Sequence, residues 1–142
     1  STKDIKMIAE TRTTEGTNKV FGGPMPAAVL YMKRDFMEKN PNTVQALVNA
    51  FYKTLKWMQK ATPEQIADTV PQEYWLGDKA LYMAAVKASK EAYSQDGIVG
   101  KDGQQRSLDF LKQFDKEIAA AKVDVAKTWE PKFVTKAAQT IK

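Results

Sequence analysis

The feature that most constrains the fold is an apolar stripe within residues 35–61, DFMEKNPNTVQALVNAFYKTLKWMQKA. Its members recur every three or four residues, which places them on one face of an α-helix. They are Val44, Leu47, Val48, Phe51, Leu55 and Met58. Asn40 and Pro41 precede the stripe, and these residues favour the N-cap and the first turn of a helix. Because a lone helix in water cannot bury such a face, the helix must belong to a larger core.

Composition limits the functions open to the chain. Its 142 residues and 43% hydrophobic content fit one domain with a substantial core. Cysteine and histidine are both absent, which excludes disulfides and cysteine nucleophiles and removes the commonest general base and metal ligand. The net charge of +5 is not concentrated in any polybasic tract, so a nucleic-acid partner is not expected. We therefore expect no enzymatic activity, no cofactor and no metal site.

Two segments before the long helix have the composition of strands. Residues 5–13, IKMIAETRT, are short and mixed, and residues 27–36, AAVLYMKRDF, form a compact apolar run with β-favouring Val29 and Tyr31. Periodicity over so few residues leaves a helix open for the second segment. Between them, residues 14–24 contain the Gly, Asn and Pro of an irregular crossing.

Helices and their boundary residues occupy the rest of the chain. Thr62, with Pro63 and Gln65 after it, predicts a capping box for a short helix that Pro71 ends. Further helices are expected from Asp78 to about residue 93, after a cap at Asp102, and from Pro131 to the C-terminal region. The spacing of apolar residues in the last helix puts Phe133, Val134, Ala137 and Ile141 on its inward face. The predicted fold is α/β and helix-dominated, with two strands followed by about five helices. Two strands alone make a marginal sheet, so further strands are expected outside this chain.

One cluster of hydrogen-bonding side chains stands out as a candidate binding site. Glu10, Arg12, Thr13 and Thr14 follow the first predicted strand and lead into the glycine-rich crossing. Ligands of open α/β sheets lie beyond the carboxyl ends of strands. Arg12 could hold an anion through two parallel hydrogen bonds, and the threonines could add hydroxyl contacts. The alternative is a solvated arginine in a hinge loop.

The order of several motifs resembles the C-terminal part of a known class of transport protein. These motifs are ETRTTEG, FGGP, DFMEKNPNTVQALVNA and TPEQIADTVPQEY. Together they are similar to ABC-transporter periplasmic substrate-binding proteins of the nitrate/sulfonate/taurine class. The resemblance spans nearly the whole chain but less than half of such a protein.

The resemblance implies a type II periplasmic-binding-protein fold and a transport function. Residues 1–16 would be a hinge-crossing strand and linker, and residues 17–142 the C-terminal part of the first lobe. The protein would capture a small anion or small organic nutrient and deliver it to a membrane permease, without chemistry on the solute. It would be periplasmic or an extracytoplasmic lipoprotein. Glu10, Arg12, Thr13 and Thr14 would contact the solute.

The resemblance also implies a missing partner. The N-terminal half of such a protein is absent from this chain, so we expect association with that half or self-association. The alternative function is a free-standing helical module that binds other proteins. The two segments at residues 5–13 and 29–33 distinguish these functions, because a binding protein needs both in one sheet, whereas a helical module leaves them as helix or loop.

Overall fold

The structure, a computed structural model, describes residues 6–141, and these residues form helices and connecting segments only. The α-helices are α1 (Thr14–Phe21), α2 (Arg34–Lys39), α3 (Pro41–Lys60), α4 (Pro63–Thr69), α5 (Lys79–Ser89), α6 (Lys101–Phe114), α7 (Lys116–Ala120) and α8 (Lys132–Thr140). Short 3-10 turns span Gln72–Trp75, Lys90–Ala92 and Val125–Lys127. Residues 6–141 contain no strand, so the prediction of an α/β fold with two strands, of the type II binding-protein kind, is wrong.

Neither predicted strand forms: residues 6–13 and 27–33 are irregular, and residues 34–36 of the second segment belong to α2, in line with the helix that the sequence left open there. Residues 6–13 precede α1 and residues 29–33 precede α2, and neither pairs with another segment in the part of the chain that the structure describes. A strand needs a neighbour for its N–H and C=O groups, and here none is present. Ile5, the first residue of the predicted first strand, lies outside the described residues.

The predicted irregular crossing begins with a helix. Thr13 has extended backbone angles and its Oγ1 accepts a hydrogen bond from the N–H of Gly16 at 3.0 Å, so it caps α1. The helix then ends at Gly22, whose φ of 73° is a left-handed conformation that glycine adopts without a steric penalty. Sequence reasoning gave weight to the glycines and missed the cap.

The long central helix is confirmed, with one difference at its start. Pro41 occupies the first turn of α3, as predicted. Asn40 does not cap it through its side chain, because its Nδ2 donates to the carbonyl of Phe36 at 3.0 Å. That bond closes the preceding helix α2, and Asn40 is the single residue between α2 and α3.

The core lies where α3 packs against α8. Val44 is only 2% exposed and clusters with Met37 of α2 and Phe133 of α8. A second cluster joins Tyr52 of α3 to Val134 and Ala137 of α8. The predicted inward face of α8, which includes Phe133, Val134 and Ala137, is therefore confirmed.

Only part of the predicted α3 stripe faces this core. Leu47 and Phe51 are 41% and 57% exposed, whereas Tyr52, which the stripe omitted, is buried. Helix α8 packs over the flank that holds Val44, Val48 and Tyr52. The Leu47 and Phe51 side, one turn apart on the helix, therefore remains uncovered.

The other helix boundaries follow the sequence with small shifts. The capping box at Thr62 is confirmed, because Gln65 donates its N–H to Thr62 Oγ1 and accepts from the Thr62 N–H. Asp78 caps α5 through the N–H of Leu81. The predicted cap at Asp102 is wrong: Gly100 holds that position, and Asp102 lies in the first turn of α6, where its charge suits the helix dipole.

The chain exposes more surface than its mass requires. Its accessible surface is 11159 Å² at 15.9 kDa, whereas a compact monomer of that mass exposes roughly 7,400 Å². Large apolar side chains contribute to the excess, among them Val29, Leu30 and Tyr31 in the segment before α2. The helices thus leave apolar surface that a partner could bury.

A pair of identical substitutions tests where the core lies. Val44→Ala should lower the free energy of unfolding by about 2 kcal/mol, because it removes buried methyl groups and leaves a cavity between α3 and α8. Val29→Ala, at a side chain that is 50% exposed, should change it by less than about 0.5 kcal/mol. Chemical denaturation measures both. Equal effects of the two substitutions would contradict this placement of the core.

Candidate functional site

The candidate site is built around the N-terminus of α1. Thr13 accepts the N–H of Gly16 through its hydroxyl and the N–H of Thr17, at 2.9 Å, through its carbonyl. The backbone N–H of Thr14 donates to Glu91 Oε1 at 3.1 Å. Glu91 lies 77 residues away in the Lys90–Ala92 turn, so a carboxylate of the protein itself compensates the positive end of the helix dipole.

Arg12 and Glu10 form an ion pair beside this helix start. The Nε and Nη2 atoms of Arg12 lie 3.1 and 2.5 Å from Oε2 of Glu10, and Nη2 also lies 3.8 Å from the sulfur of Met7. The two charged side chains keep 47% and 36% of their surface exposed. Exposed pairs of this kind contribute at most about 1 kcal/mol, so a ligand can compete for either partner at little cost.

Gly16 allows the segment before α1 to pass close to the helix. A Cβ at residue 16 would collide with the carbonyl oxygen of Glu10 and lie 3.1 Å from Thr13 Oγ1. Gly16 is buried under this contact. The glycine therefore allows the Glu10 backbone to lie against the first turn of α1.

A groove of about 430 Å³ runs between residues 7–13 and α1. Glu10, Thr13, Glu15 and Lys19 are among its polar lining residues, and Met7, Ile8 and Val20 give it apolar walls. Lys19 pairs with Glu15 at 2.6 Å on the helix. The groove thus offers both signs of charge next to apolar surface, a combination suited to a small polar or zwitterionic molecule.

Each predicted site residue has a defined place. Glu10 and Thr13 line the groove, Arg12 is held by Glu10, and Thr14 contributes its backbone N–H to Glu91. Sequence reasoning missed Glu91, because no local pattern links a glutamate at a helix end to a threonine so far away in the chain. Gly16 could have been noticed, since it is the one glycine of the short TEGTN run.

A second cavity of about 350 Å³ lies between α3 and the loop after α5. Leu55, Met58 and Tyr93 line it together with the polar side chains of Gln59, Lys90, Glu91, Ser94 and Gln95. Its polar groups are largely used within the protein: Lys90 Nζ donates to the Ala61 carbonyl at 2.8 Å, and Gln59 Nε2 to the Gln95 carbonyl at 2.7 Å. These bonds fix the loop on α3 rather than offer a site.

The part of the chain that the structure describes offers neither a metal centre nor a membrane span. Within residues 6–141 no three or more acidic side chains come together in a way that could hold a metal ion. Over the same residues no helix combines the length and apolar character needed to cross a membrane.

Comparison with known proteins gives one informative similarity. No family model and no curated protein matches the chain. The chain is similar to a solved structure of a protein from Bordetella bronchiseptica RB50, with 44% sequence identity and a TM-score of 0.89. The similarity covers 95% of this chain but 42% of that protein. The chain therefore spans less than half the length of the structure it matches, and the helical arrangement recurs within a longer polypeptide.

Gly16→Ala tests the close contact at the site. The substitution should destabilise the protein by about 1 to 3 kcal/mol, because the new methyl group collides with the Glu10 backbone. Gly100→Ala is the matched control: nothing lies within 4 Å of its added methyl group, so it should cost less than about 1 kcal/mol, the difference between glycine and alanine at a helix cap. Thermal and chemical unfolding measure both.

A stabilising effect of Gly16→Ala would contradict the contact. Alanine favours a helix over glycine by about 1 kcal/mol when nothing collides with it. The sign of the change therefore reports whether residues 7–13 pack on α1 in solution.

Proposed function

We propose that this chain is part of the solute-binding component of an ABC importer, outside the cytoplasm. It would capture a small anion or small organic nutrient of the nitrate, sulfonate or taurine kind and deliver it unchanged to the membrane permease. The observation that carries the proposal is the groove beside α1, which Glu10 and Thr13 line, together with the ion pair that joins Arg12 to Glu10. One of the motifs that resemble this class of transport protein, ETRTTEG, contains these residues.

The charges of the groove favour a zwitterionic solute over a bare anion. Arg12 can bind a sulfonate or carboxylate through its planar donors, and Glu10 can accept hydrogen bonds from an ammonium group. An aminosulfonate such as taurine carries both groups. It would replace the exposed ion pair between Arg12 and Glu10 by two pairs with the ligand, so neither protein charge would lose its partner.

The remainder of a longer protein is the first proposed partner of this chain. The similar Bordetella protein is more than twice as long as the part that matches, and the chain exposes an excess of apolar surface. A groove on one such unit becomes an enclosed site only when another part of the molecule covers it. The permease and a second copy of the chain are further partners in this proposal.

A free-standing helical module for protein interaction is the second candidate. Residues 6–13 and 29–33 form no sheet, which is the outcome expected for such a module. Exposed side chains including Tyr31, Phe51 and Phe114 would supply its contacts. This candidate predicts binding to a partner protein without any small solute.

Arg12→Ala tests solute binding in the full-length polypeptide that contains this unit. Loss of charged hydrogen bonds worth about 1.5 to 3 kcal/mol should weaken taurine binding roughly 10- to 100-fold. Isothermal titration calorimetry with taurine, nitrate and a neutral sugar gives the affinities. Arg34→Ala is the control, because Arg34 binds the Lys127 carbonyl far along the chain from the groove and should leave affinity unchanged.

Two outcomes of this titration would contradict the proposal. One is the absence of binding for every small anion and zwitterion tested, which would favour the helical interaction module. The other is an equal effect of the two arginine substitutions, which would remove Arg12 from the site.

Self-association provides an independent test of the uncovered surface. Sedimentation velocity of the 142-residue chain at micromolar concentrations should show species larger than a monomer, because apolar side chains such as Tyr31 and Phe51 are exposed. Addition of the remainder of the longer protein should convert these species into a defined complex. A compact monomer at all concentrations would show that the exposed surface needs no partner.

A further inference from the structure

The connection between α4 and α5 ends in an unusual exposed tip. We define the 72–76 tip as the Gln72–Trp75 turn together with Leu76, which follows it. Leu76 is 93% exposed and Tyr74 65% exposed. Leu76 also has φ 50° and ψ 35°, the left-handed conformation, and it is the one residue other than glycine with positive φ in the described part of the chain.

Leucine is disfavoured at this position for two separate reasons. Its Cβ crowds the backbone in the left-handed conformation, which glycine adopts freely and asparagine tolerates. Its side chain is also left in water, where an apolar group gains nothing. Neither feature stabilises this fold, since glycine or asparagine would make the same turn at lower cost. Strained residues of this kind cluster at binding sites, where a partner compensates for them.

The tip is held rigidly by contacts beneath it. Trp75 is half-buried, and its Nε1 donates to the Ala67 carbonyl of α4 at 3.1 Å. Lys79 Nζ lies 5.0 Å from the centre of the Trp75 ring and also pairs with Asp68. The N–H of Asp78 donates to the Trp75 carbonyl at 2.9 Å, which closes the turn. A preorganised element loses little conformational entropy on binding.

The charge around the tip indicates the kind of partner. Residues 62–78 contain four acidic side chains and no lysine or arginine, although the whole chain has a net charge of +5. Asp68 pairs with Lys79 and Asp78 caps α5. Glu73, which belongs to the tip, is exposed, and within residues 6–141 its side chain forms no ion pair or hydrogen bond. A matching surface therefore has an apolar centre and a positively charged rim.

We propose that the 72–76 tip is a docking element that inserts Leu76, with Tyr74 beside it, into an apolar pocket of another protein. A lysine or arginine side chain at the rim of that pocket faces Glu73. Burial of Leu76 by the partner compensates for its exposure, and the partner holds the left-handed turn in place. The inference does not depend on solute binding, since the tip and the groove beside α1 share no residue.

Site-specific photo-crosslinking in the producing cells tests the proposal. Tyr74 is replaced by the photoreactive residue benzoylphenylalanine in the full-length protein, and crosslinked peptides are identified by mass spectrometry. The expected product joins residue 74 to one defined protein, at a peptide that contains lysine or arginine beside apolar residues. The same crosslinking is then repeated in cell extracts at salt concentrations from 50 to about 500 mM. The yield of the crosslinked product should fall as the salt concentration rises, because salt screens the charges at the contact.

Two substitutions connect the crosslink to Leu76. Leu76→Asn and Leu76→Gly both keep the left-handed turn and remove the apolar side chain, so the crosslink should fall at least tenfold while the melting temperature stays equal or rises. Leu81→Asn is the control, because Leu81 is 64% exposed on the neighbouring helix α5 but has ordinary helical geometry. That variant should keep the crosslink.

Several results would overturn the proposal. They are an unchanged crosslink in both Leu76 variants, a crosslink only to the same polypeptide or to a second copy, and no crosslink above the level obtained with the photoreactive residue at position 81. A lower melting temperature in both variants would also overturn it, because Leu76 would then stabilise this fold itself. A membrane permease as the identified partner would fit the importer proposal, whereas another protein would support the tip and count against transport.

Discussion

The packing of α3 against α8 is the contact on which the rest of the structure depends. Val44 and Tyr52 of the long helix meet Phe133, Val134 and Ala137 across this contact, and these residues form the two buried clusters of the core. Side chains of α3 also bind α8 and the loop after α5. Gln45 Nε2 donates to the Phe133 carbonyl at 2.9 Å, and Lys56 Nζ and Gln59 Nε2 both donate to the Gln95 carbonyl, which holds the loop after α5 on α3. Glu91 at the start of this region then reaches the N-terminus of α1, so the candidate site is positioned by a chain of contacts that begins at the core.

Local sequence signals predicted the elements whose structure is local. The capping box at Thr62 and the apolar spacing of α8 involve residues three or four apart, and both are confirmed. Features that depend on distant neighbours were missed. Tyr52 is buried because α8 covers its side of α3. Strands were expected at residues 5–13 and 27–36 because the composition of these segments suits a sheet. Composition cannot supply the neighbouring strand that a sheet requires. For the site, the sequence pointed to the cluster from Glu10 to Thr14. No pattern in the sequence indicated that Glu91 accepts a hydrogen bond from the backbone N–H of Thr14.

The uncovered surface links the structural and the functional conclusions. A chain of this mass that exposes 11159 Å² leaves apolar groups in water which a compact protein would bury. The same helices occur within a protein more than twice as long. The groove beside α1, the exposed side of α3 and the 72–76 tip lie on different elements. We propose a different contact for each of them: a small charged solute, an apolar partner and a basic pocket, in that order. The structure thus has a helical core, formed by α3 and α8, and three exposed surfaces that no other part of the described chain covers.

Amide hydrogen exchange of the isolated chain, followed by mass spectrometry, tests this description most directly. The account predicts the slowest exchange in α3 and α8, because their backbone bonds break only when the core opens. It predicts fast exchange in residues 27–31, which have neither regular secondary structure nor a covering element. Protection of residues 27–31 in a monomer to the level of α3 would contradict the account, since that segment would then already be covered by this chain alone.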